Sequence, residues 1–440
     1  MAFSLHGIHV PHRKNTQNKP VVYMDPPQSV TIPMSMHIGA PATLIAKVGD
    51  TVKVGTKIGE ANGPVSVPVY ASVSGKVTKI ITLPLFNGNT TTAVTIESDG
   101  QMTTEEGIVP PTITCREELI DAVRESGVVG LGGAGFPTHV KLNIPPDRVK
   151  YLVINGAECE PYVTSDSVTM VERREDMAYA LDVLCKHLGI RSVIIGVESN
   201  KKKAISSMMR LMKENSGRHR ITVKVLPSIY PQGGEKVLVY HTTGRVIPTG
   251  KLPIDVGCIV LNCTTLASIG AYLRTGMPLV EKCVTVDGGA VKEPQNIVAP
   301  IGTSMEKLFE LCGGLVCSPA KILYGGPMMG ITVPSPTLPI MKNTNAILAL
   351  TDCETARPVM TACIRCGSCT NVCPFGLAPA EIARAYSNGD AKQLASLEVS
   401  TCMECGCCSF VCPANRPLVQ TNKQAKAFLR ESQAKEAKKS

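Results

Sequence analysis

The chain has 440 residues with 44% hydrophobic and 18% charged side chains, a globular composition long enough for two to four domains. Its formal charge of +9 is modest at this length, and with no Trp and only 4% aromatics a nucleic-acid stacking platform is excluded. The opening "MAFSLHGIHVPHRK" lacks the apolar core of a signal peptide. The charge-free run from Val256 to Leu273 carries Asn262, Thr264, Thr265 and Ser268, so it is expected as a strand leading into a helix rather than a bilayer span.

Taken in chain order, the first segment carries His6, His9, His12 and His37, whose spacing fits no metal-binding helix face. Residues 31–80 follow as short strands with glycine turns, "VGDTVKVGTKIGE" and "VYASVSGKV". They resemble the lipoyl-type barrel-sandwich fold. Pro64 stands where that fold carries its modified Lys, and Lys76 lies on the wrong side of the turn, so a docking role is expected rather than a swinging arm.

The helix-forming "CREELIDAVRESG" leads into "VVGLGGAGFPTHVKLN". The loop contains G-x-G-x-x-G at Gly130, Gly132 and Gly135, but a helix rather than a strand precedes it, so it is not a Rossmann fingerprint. Closely spaced glycines still let backbone N–H groups face a phosphate or a flat ring. Pro137 can open a short helix, with Lys141 one turn along. Next, "YLVIN" reads as a buried strand ending in the polar cluster Asn155, Glu158 and Glu160. Strands and helices then alternate to "LNCTT", which predicts an α/β domain with a mostly parallel sheet. Residues 277–345 read as strand, turn, strand, helix and strand, a β-grasp pattern.

Two cysteine runs close the chain: Cys363, Cys366, Cys369 and Cys373 before Pro374, and Cys402, Cys405, Cys408 and Cys412 before Pro413. Each is C-x2-C-x2-C-x3-C-P, in which three thiolates bind one [4Fe–4S] cluster and the fourth binds the other. The expected sets are Cys363, Cys366, Cys369 and Cys412 for one cluster, and Cys402, Cys405, Cys408 and Cys373 for the second. Structural zinc would favour paired CxxC units instead. Between the runs, Ala-, Leu- and Glu-rich sequence predicts helices broken near Asn388-Gly389. The other ten of the 18 cysteines share no spacing and are read as reduced thiols, Cys407 among them as a bystander.

"GLGGAGFPTHVK", "INGAECEPY", "GGEK" and "LNCTT" together resemble the flavin and NADH site of the flavoprotein subunit of respiratory complex I. With "HGIHVPHRK", the barrel-sandwich sequence and the paired cysteine runs, the chain is similar to the RnfC subunits of Rnf ferredoxin–NAD oxidoreductases over nearly its whole length. The resemblance implies a multidomain α/β architecture. Its parts are an N-terminal barrel-sandwich module (1–95), a Rossmann-like FMN/NADH domain (96–276), an SLBB β-grasp (277–348), a helical two-cluster ferredoxin module (349–420) and a basic tail (421–440).

It implies FMN held by Gly130, Gly132, Gly133, Gly135 and Lys141, with Asn155, Glu235, Asn262 and Thr264 completing the pocket. Phe136 would stack on NADH and Glu160 would hydrogen-bond to it. Three positions depart from the complex I pattern: Ala157 and Lys236 replace acidic residues, and Cys263 replaces an Asn. The expected activity is that of an NADH-oxidising or NAD-reducing flavin and iron–sulfur subunit. It would sit peripherally on the cytoplasmic face of the membrane, with an iron–sulfur subunit and membrane subunits as partners and ferredoxin reached indirectly. In that setting, ferredoxin:NAD electron transfer is coupled to ion translocation. Hydride transfer needs no general base, so no catalytic side chain is expected. Two alternatives share the motifs. One is a cobalamin reductase of propanediol-utilising microcompartments, against which the "HGIHVPHRK…HIGAPA" signature argues. The other is a cluster-bearing scaffold without catalysis.

Overall fold

A computed structural model describes residues 7–85, 88–215, 217, 219–355 and 359–437, so His6 lies outside it. The barrel-sandwich consists of two small sheets. Ser29–Pro33, Thr90–Ser98, Gly75–Pro84 and Thr51–Val52 form one, in that order, and Thr43–Leu44, Lys57–Glu60 and Val69–Tyr70 form the other. Val30, Ile32, Val77, Val94 and Ile96 fill the space between them, alternate residues of strands with one face inward.

The residues before this module belong elsewhere. Ile8 donates its N–H to the Tyr230 carbonyl at 2.9 Å, and Val21–Tyr23 is a parallel edge strand on Gln295–Pro300 of the β-grasp. Between them the Lys14 ammonium, buried, donates to the carbonyls of Glu158, Glu160 and Val163 at 2.9, 2.7 and 2.5 Å. Residues 7–23 are thus a strap across two other domains, because backbone groups at a sheet edge and in a polar loop need partners.

The central domain has a four-stranded parallel sheet in the order Arg220–Leu226, Ser192–Glu198, Tyr151–Gly156, Cys258–Asn262. These strands read as continuous Val/Ile/Leu runs because both faces are covered. Arg174–Leu188 packs on Cys263–Thr275, its apolar side formed by Met177, Ala180, Leu181, Leu184 and Leu188. The chain steps outward from Tyr151–Gly156 in one direction, then returns to place Cys258–Asn262 on its other side. That reversal leaves a crevice at the carboxyl ends of the two strands, where open α/β sheets bind ligands. Asn155 and Asn262 are register partners at that edge.

The β-grasp sheet runs Val21–Tyr23, Gln295–Pro300, Glu281–Asp287, Ala346–Leu350, Lys321–Tyr324, Ile331–Val333, with Met305–Leu311 against it. The boundary expected at 348 falls inside Ala346–Leu350, a fully buried strand, and the one expected at 420 falls inside the helix Leu418–Ala437. The cluster module carries Pro379–Ser387 and Ala391–Ser396, separated at Gly389 (φ +64°) as the Asn-Gly pair predicts. Residues 418–437 are not a free tail: Leu418, Asn422, Ala425 and Leu429 form a buried stripe against that module.

Lys342 joins three domains. Fully buried, its ammonium donates to the carbonyls of Pro68 in the barrel-sandwich and Gly127 before the glycine loop, at 2.7 and 2.8 Å. Burial brings its pKa down to about 7, and burial brings Lys14 down to about 8. From pH 7 upward the unfolded chain therefore binds protons that the folded chain has lost, so stability rises with pH. The expected slope is at most about 1.4 kcal/mol per pH unit per lysine, seen up to about pH 8.5, where thiols begin to titrate. Thermal midpoints of the protein and of K342M at pH 7 and 8.5 check this: the variant should lose most of the rise, and an equal rise in both would refute it.

Candidate functional site

The Arg116–Glu125 helix delivers the chain to the glycine loop. Leu119, Ile120, Ala122 and Val123 are buried on one side, and Glu118 accepts the N–H groups of Thr114 and Cys115 at its start. The loop is closed by Gly130 N–H to Phe136 O and Gly135 N–H to Gly130 O, at 2.8 and 3.1 Å. Gly133 (φ +140°) and Gly135 (φ +67°) hold conformations that side chains rarely adopt. Leu131 N–H donates to Thr265 Oγ1 at 2.9 Å, which ties the loop to the Cys263–Thr275 helix.

A Cβ at Gly132 would lie 2.8 Å from Asn262 Nδ2, and a Cβ at Gly133 would meet nothing within 4 Å. Gly132, Gly133 and Ala134 are exposed, and among the described residues no protein acceptor takes their N–H groups. Three free amides above an open edge, with a lysine alongside, fit a group that is flat at one end and anionic at the other.

The expected pocket residues converge here. Lys141, from the short helix Thr138–Leu142, pairs with Glu235 at 2.8 Å and donates to Val260 O at 3.1 Å. Asn155 donates to Gly233 O at 2.9 Å, just before the Glu235–Thr243 helix. Asn262 caps the Cys263–Thr275 helix by accepting the N–H groups of Thr264 and Thr265 at 2.9 and 3.1 Å. Its amide donates to Asp166 Oδ2 at 2.7 Å, and Thr264 Oγ1 donates to Asp166 Oδ1 at 2.6 Å. Thr264 is therefore committed to Asp166. Burial, then the nearby Glu158, raises the Asp166 pKa.

Phe136 is half-buried in the loop. Glu160, expected beside NADH, has both carboxylate oxygens on the β-grasp: they accept the N–H groups of Met328 and Met329 at 2.9 Å each. Burial lifts its pKa to about 7. The "YGGPMMG" turn is held by this carboxylate. Of the three departures from the complex I pattern, Lys236 reaches the cluster module, its ammonium 5.9 Å from the Phe375 ring centroid. Ala157 donates its N–H to Asn155 Oδ1 at 3.1 Å, and Cys263 is buried against the Asp166 carbonyl.

Several residues at the site carry no motif signal. Asp166 lies in "TSDSV", which matches no motif. Asn343 Nδ2 donates to Gly133 O at 2.7 Å, and Ile38 N–H to Gly135 O at 3.0 Å. The β-grasp and the barrel-sandwich thus clamp the glycine loop from opposite sides in sequence. Pro64, at the tip where a lipoyl-type Lys would sit, has its carbonyl 3.0 Å from His139 Nε2. That contact gives the expected docking role a concrete partner.

The cysteine runs repeat one backbone path. Arg365 and Glu404 take positive φ (56° and 63°), as do Gly367 and Gly406, and each run then enters a short helix, Ser368–Asn371 or Cys407–Phe410. Cys402, Cys405 and Cys408 line one small cavity together with Cys373, the last cysteine of the other run. Cys369 and Cys412 both pack against the cluster of Ala383, Cys408 and Leu418, and Cys363 and Cys366 are exposed. Among the described residues no three potential ligands close in on a single-ion site. Thiols spread around a cavity suit a cubane, whose irons are distributed, rather than one tetrahedral zinc. Cys407, read as a bystander, is buried in the same lining with its thiol toward Tyr230 O.

The Cys402 cavity abuts the central domain. Tyr230 Oη donates to Cys405 O at 2.7 Å, and Met403 packs on Gly234 at the start of the helix that carries Glu235. A chain of contacts links the helix after the glycine loop to the cavity: Lys141, Glu235, Gly234, Met403.

Residues 3–101 match the RnfC barrel sandwich hybrid domain, 123–271 the Nuo51 FMN-binding domain, 283–332 the SLBB domain and 359–416 the 4Fe-4S dicluster domain. The chain is 44% identical over 383 residues to a subunit of the Na(+)-translocating ferredoxin:NAD(+) oxidoreductase complex of Acetobacterium woodii, covering 86% of each. It is 40% identical to the proton-translocating counterpart of Clostridium ljungdahlii, over 86% of this chain and 83% of that one. With the corresponding subunit of the ion-translocating oxidoreductase complex of Rhodobacter capsulatus it shares 39% over 99% of this chain and 85% of the other. Among solved structures, an air-oxidized NAD+-reducing [NiFe]-hydrogenase shares the fold. Its TM-score is 0.50 at 16% identity, with 73% of this chain and 64% of that chain covered. By its domain order and these relatives, the chain belongs to the RnfC family of ion-translocating oxidoreductase complexes.

Proposed function

We propose that this chain exchanges electrons with NAD(H) at the glycine loop and passes them through the Cys402 cavity to the exposed Cys363 site. FMN, when bound, interconverts a hydride's two electrons with the single electrons that iron–sulfur clusters carry. The residues supply position and charge. The free amides of Gly132, Gly133 and Ala134, with Lys141, hold the anionic end. Gly130 and Gly135 keep the loop closed, and Asn155 and Asn262 set the floor at the strand ends. Glu235 holds Lys141 in place, and Asp166 fixes both Asn262 and Thr264. Phe136 is placed to shield the ring side of the loop. Glu160 anchors the β-grasp loop over this edge through two N–H hydrogen bonds, which a contact with NADH would have to share or displace.

The observation that carries this reading is the contact chain from Lys141 to the four-thiol cavity beside the central domain, with Cys363 and Cys366 exposed. Val359, Met360 and Ile364, next to Cys363 in the chain, are exposed, a suitable exit toward an iron–sulfur partner protein. Among the described residues no helix is long and apolar enough to cross a membrane. The reading accordingly places the chain peripherally, on the cytoplasmic face of a membrane complex that couples ferredoxin:NAD electron transfer to ion movement.

Anaerobic stopped-flow mixing of the reconstituted protein with NADH tests it. Flavin absorbance should bleach first and cluster absorbance afterwards. Intact clusters with no flavin bleaching would refute it, and faster reduction of cob(III)alamin than of ferredoxin or an artificial acceptor would redirect it.

A further inference from the structure

We propose that Asn422, in the C-terminal helix outside both cysteine runs, is a positioning residue that raises the reduction potential of the cluster held by Cys402, Cys405, Cys408 and Cys373. The inference rests on the reading that this cavity holds a [4Fe–4S] cluster. Asn422 is 1% exposed, lines the cavity, and places Nδ2 3.5 Å from Cys402 Sγ. Its Oδ1 is buried with no hydrogen-bond partner. A ligating thiolate can only accept, so the amide must turn its N–H toward the sulfur and leave the carbonyl inward. An unpaired buried carbonyl costs about 1–3 kcal/mol, so the orientation is held against a penalty.

The helix is fixed at this depth. Lys426, one turn on, donates to Cys402 O at 2.9 Å and pairs with Glu404 at 2.6 Å, and Leu418, Ala425 and Leu429 are buried beside it. In the other run no side-chain amide among the described residues donates to Cys363, the counterpart of Cys402, and the side-chain donor there is a hydroxyl, Ser368 Oγ, 3.3 Å from Cys366 Sγ. Reduction adds one electron and no proton to the cluster, and the extra negative charge falls partly on its sulfur ligands. An N–H donor to such a sulfur stabilises the reduced state, which is one of the ways proteins set cluster potentials. The inner cluster thereby becomes a better acceptor beside the central domain than it would be without that donor.

The test is a redox titration followed by electron paramagnetic resonance on the reconstituted full chain, N422L and N422D, with iron counted in each. With about eight irons per chain, N422L should lower one of the two potentials by about 59 mV, a tenfold change in a one-electron equilibrium, and leave the other unchanged. N422D, which replaces the donor with an acceptor of the same shape, should lower it further. Unchanged potentials in both variants with full iron would overturn the proposal and leave the cluster assignment standing. Iron near zero in the unsubstituted protein would instead overturn the assignment itself. If both variants lose the cluster, the unsubstituted protein decides: with 15N in its asparagine side-chain amides, the reduced-cluster signal should show a nitrogen coupling, and its absence overturns the proposal.

Discussion

Replacing Cys373 with alanine is expected to halve the iron, from about eight to about four per chain, and to abolish the cluster seated in the second run. Cys373 belongs to the first run in sequence, yet it lines one cavity with Cys402, Cys405 and Cys408. Adjacent-run ligation would make the opposite forecast: C373A would destroy the cluster that C363A destroys. Comparing the resonance signals of the two variants separates these schemes, because crossed ligation requires each to lose a different signal. Function should follow geometry. The inner cavity touches the central domain through Met403 on Gly234 and Tyr230 on Cys405. In C373A, NADH should still bleach the flavin, while reduction of the surviving outer cluster slows by orders of magnitude. Rapid reduction of that cluster without its neighbour would mean that electrons bypass the cavity.

A second large effect is expected from Gly132→Val. The added Cβ would fall 2.8 Å from Asn262 Nδ2 and 3.0 Å from its Cγ. Asn262 cannot yield easily, since its carbonyl caps the following helix through two N–H groups and its amide is bonded to Asp166. The loop must lift instead. Overpacking of this kind costs about 1–3 kcal/mol, which for ligand retention corresponds to roughly tenfold to a hundredfold weaker binding. Titration of flavin-free protein with FMN, followed by fluorescence quenching, measures it. The glycine loop holds no cysteine of either run, so the iron content should hardly change. Undiminished affinity for FMN would show that the loop does not cradle the ring.

Much of this architecture was legible in the residues. The Lys-rich helix Lys202–Glu214, the buried strand Tyr151–Gly156 and the break at Gly389 follow from local periodicity, from burial on both faces and from the backbone freedom of one glycine. The cysteine runs were legible for a related reason: ligands three or four residues apart wrap one cluster, so spacing alone states the chemistry. The expected pocket residues come from the motifs that carry them, and the structure gathers Gly132, Lys141, Asn155, Glu235 and Asn262 at one sheet edge.

What the linear order could not disclose is which distant residues hold that edge in shape. Glu160 bonds a loop 168 residues away, Asn343 reaches Gly133 across 210 positions, and Lys342 reaches Pro68 across 274. Asp166 and Asn422 likewise act through polar contacts to residues far away or outside the motifs. Such contacts have no period and no fixed spacing. A buried donor or acceptor must find a partner, but which one it finds depends on how the domains dock. Local pattern determined the elements, the ligand spacing and the loop that binds. Only the packed tertiary structure decided which side chains clamp that loop, which thiols share a cavity, and which helix covers it, because those choices are made by burial and polar pairing between segments far apart in the chain.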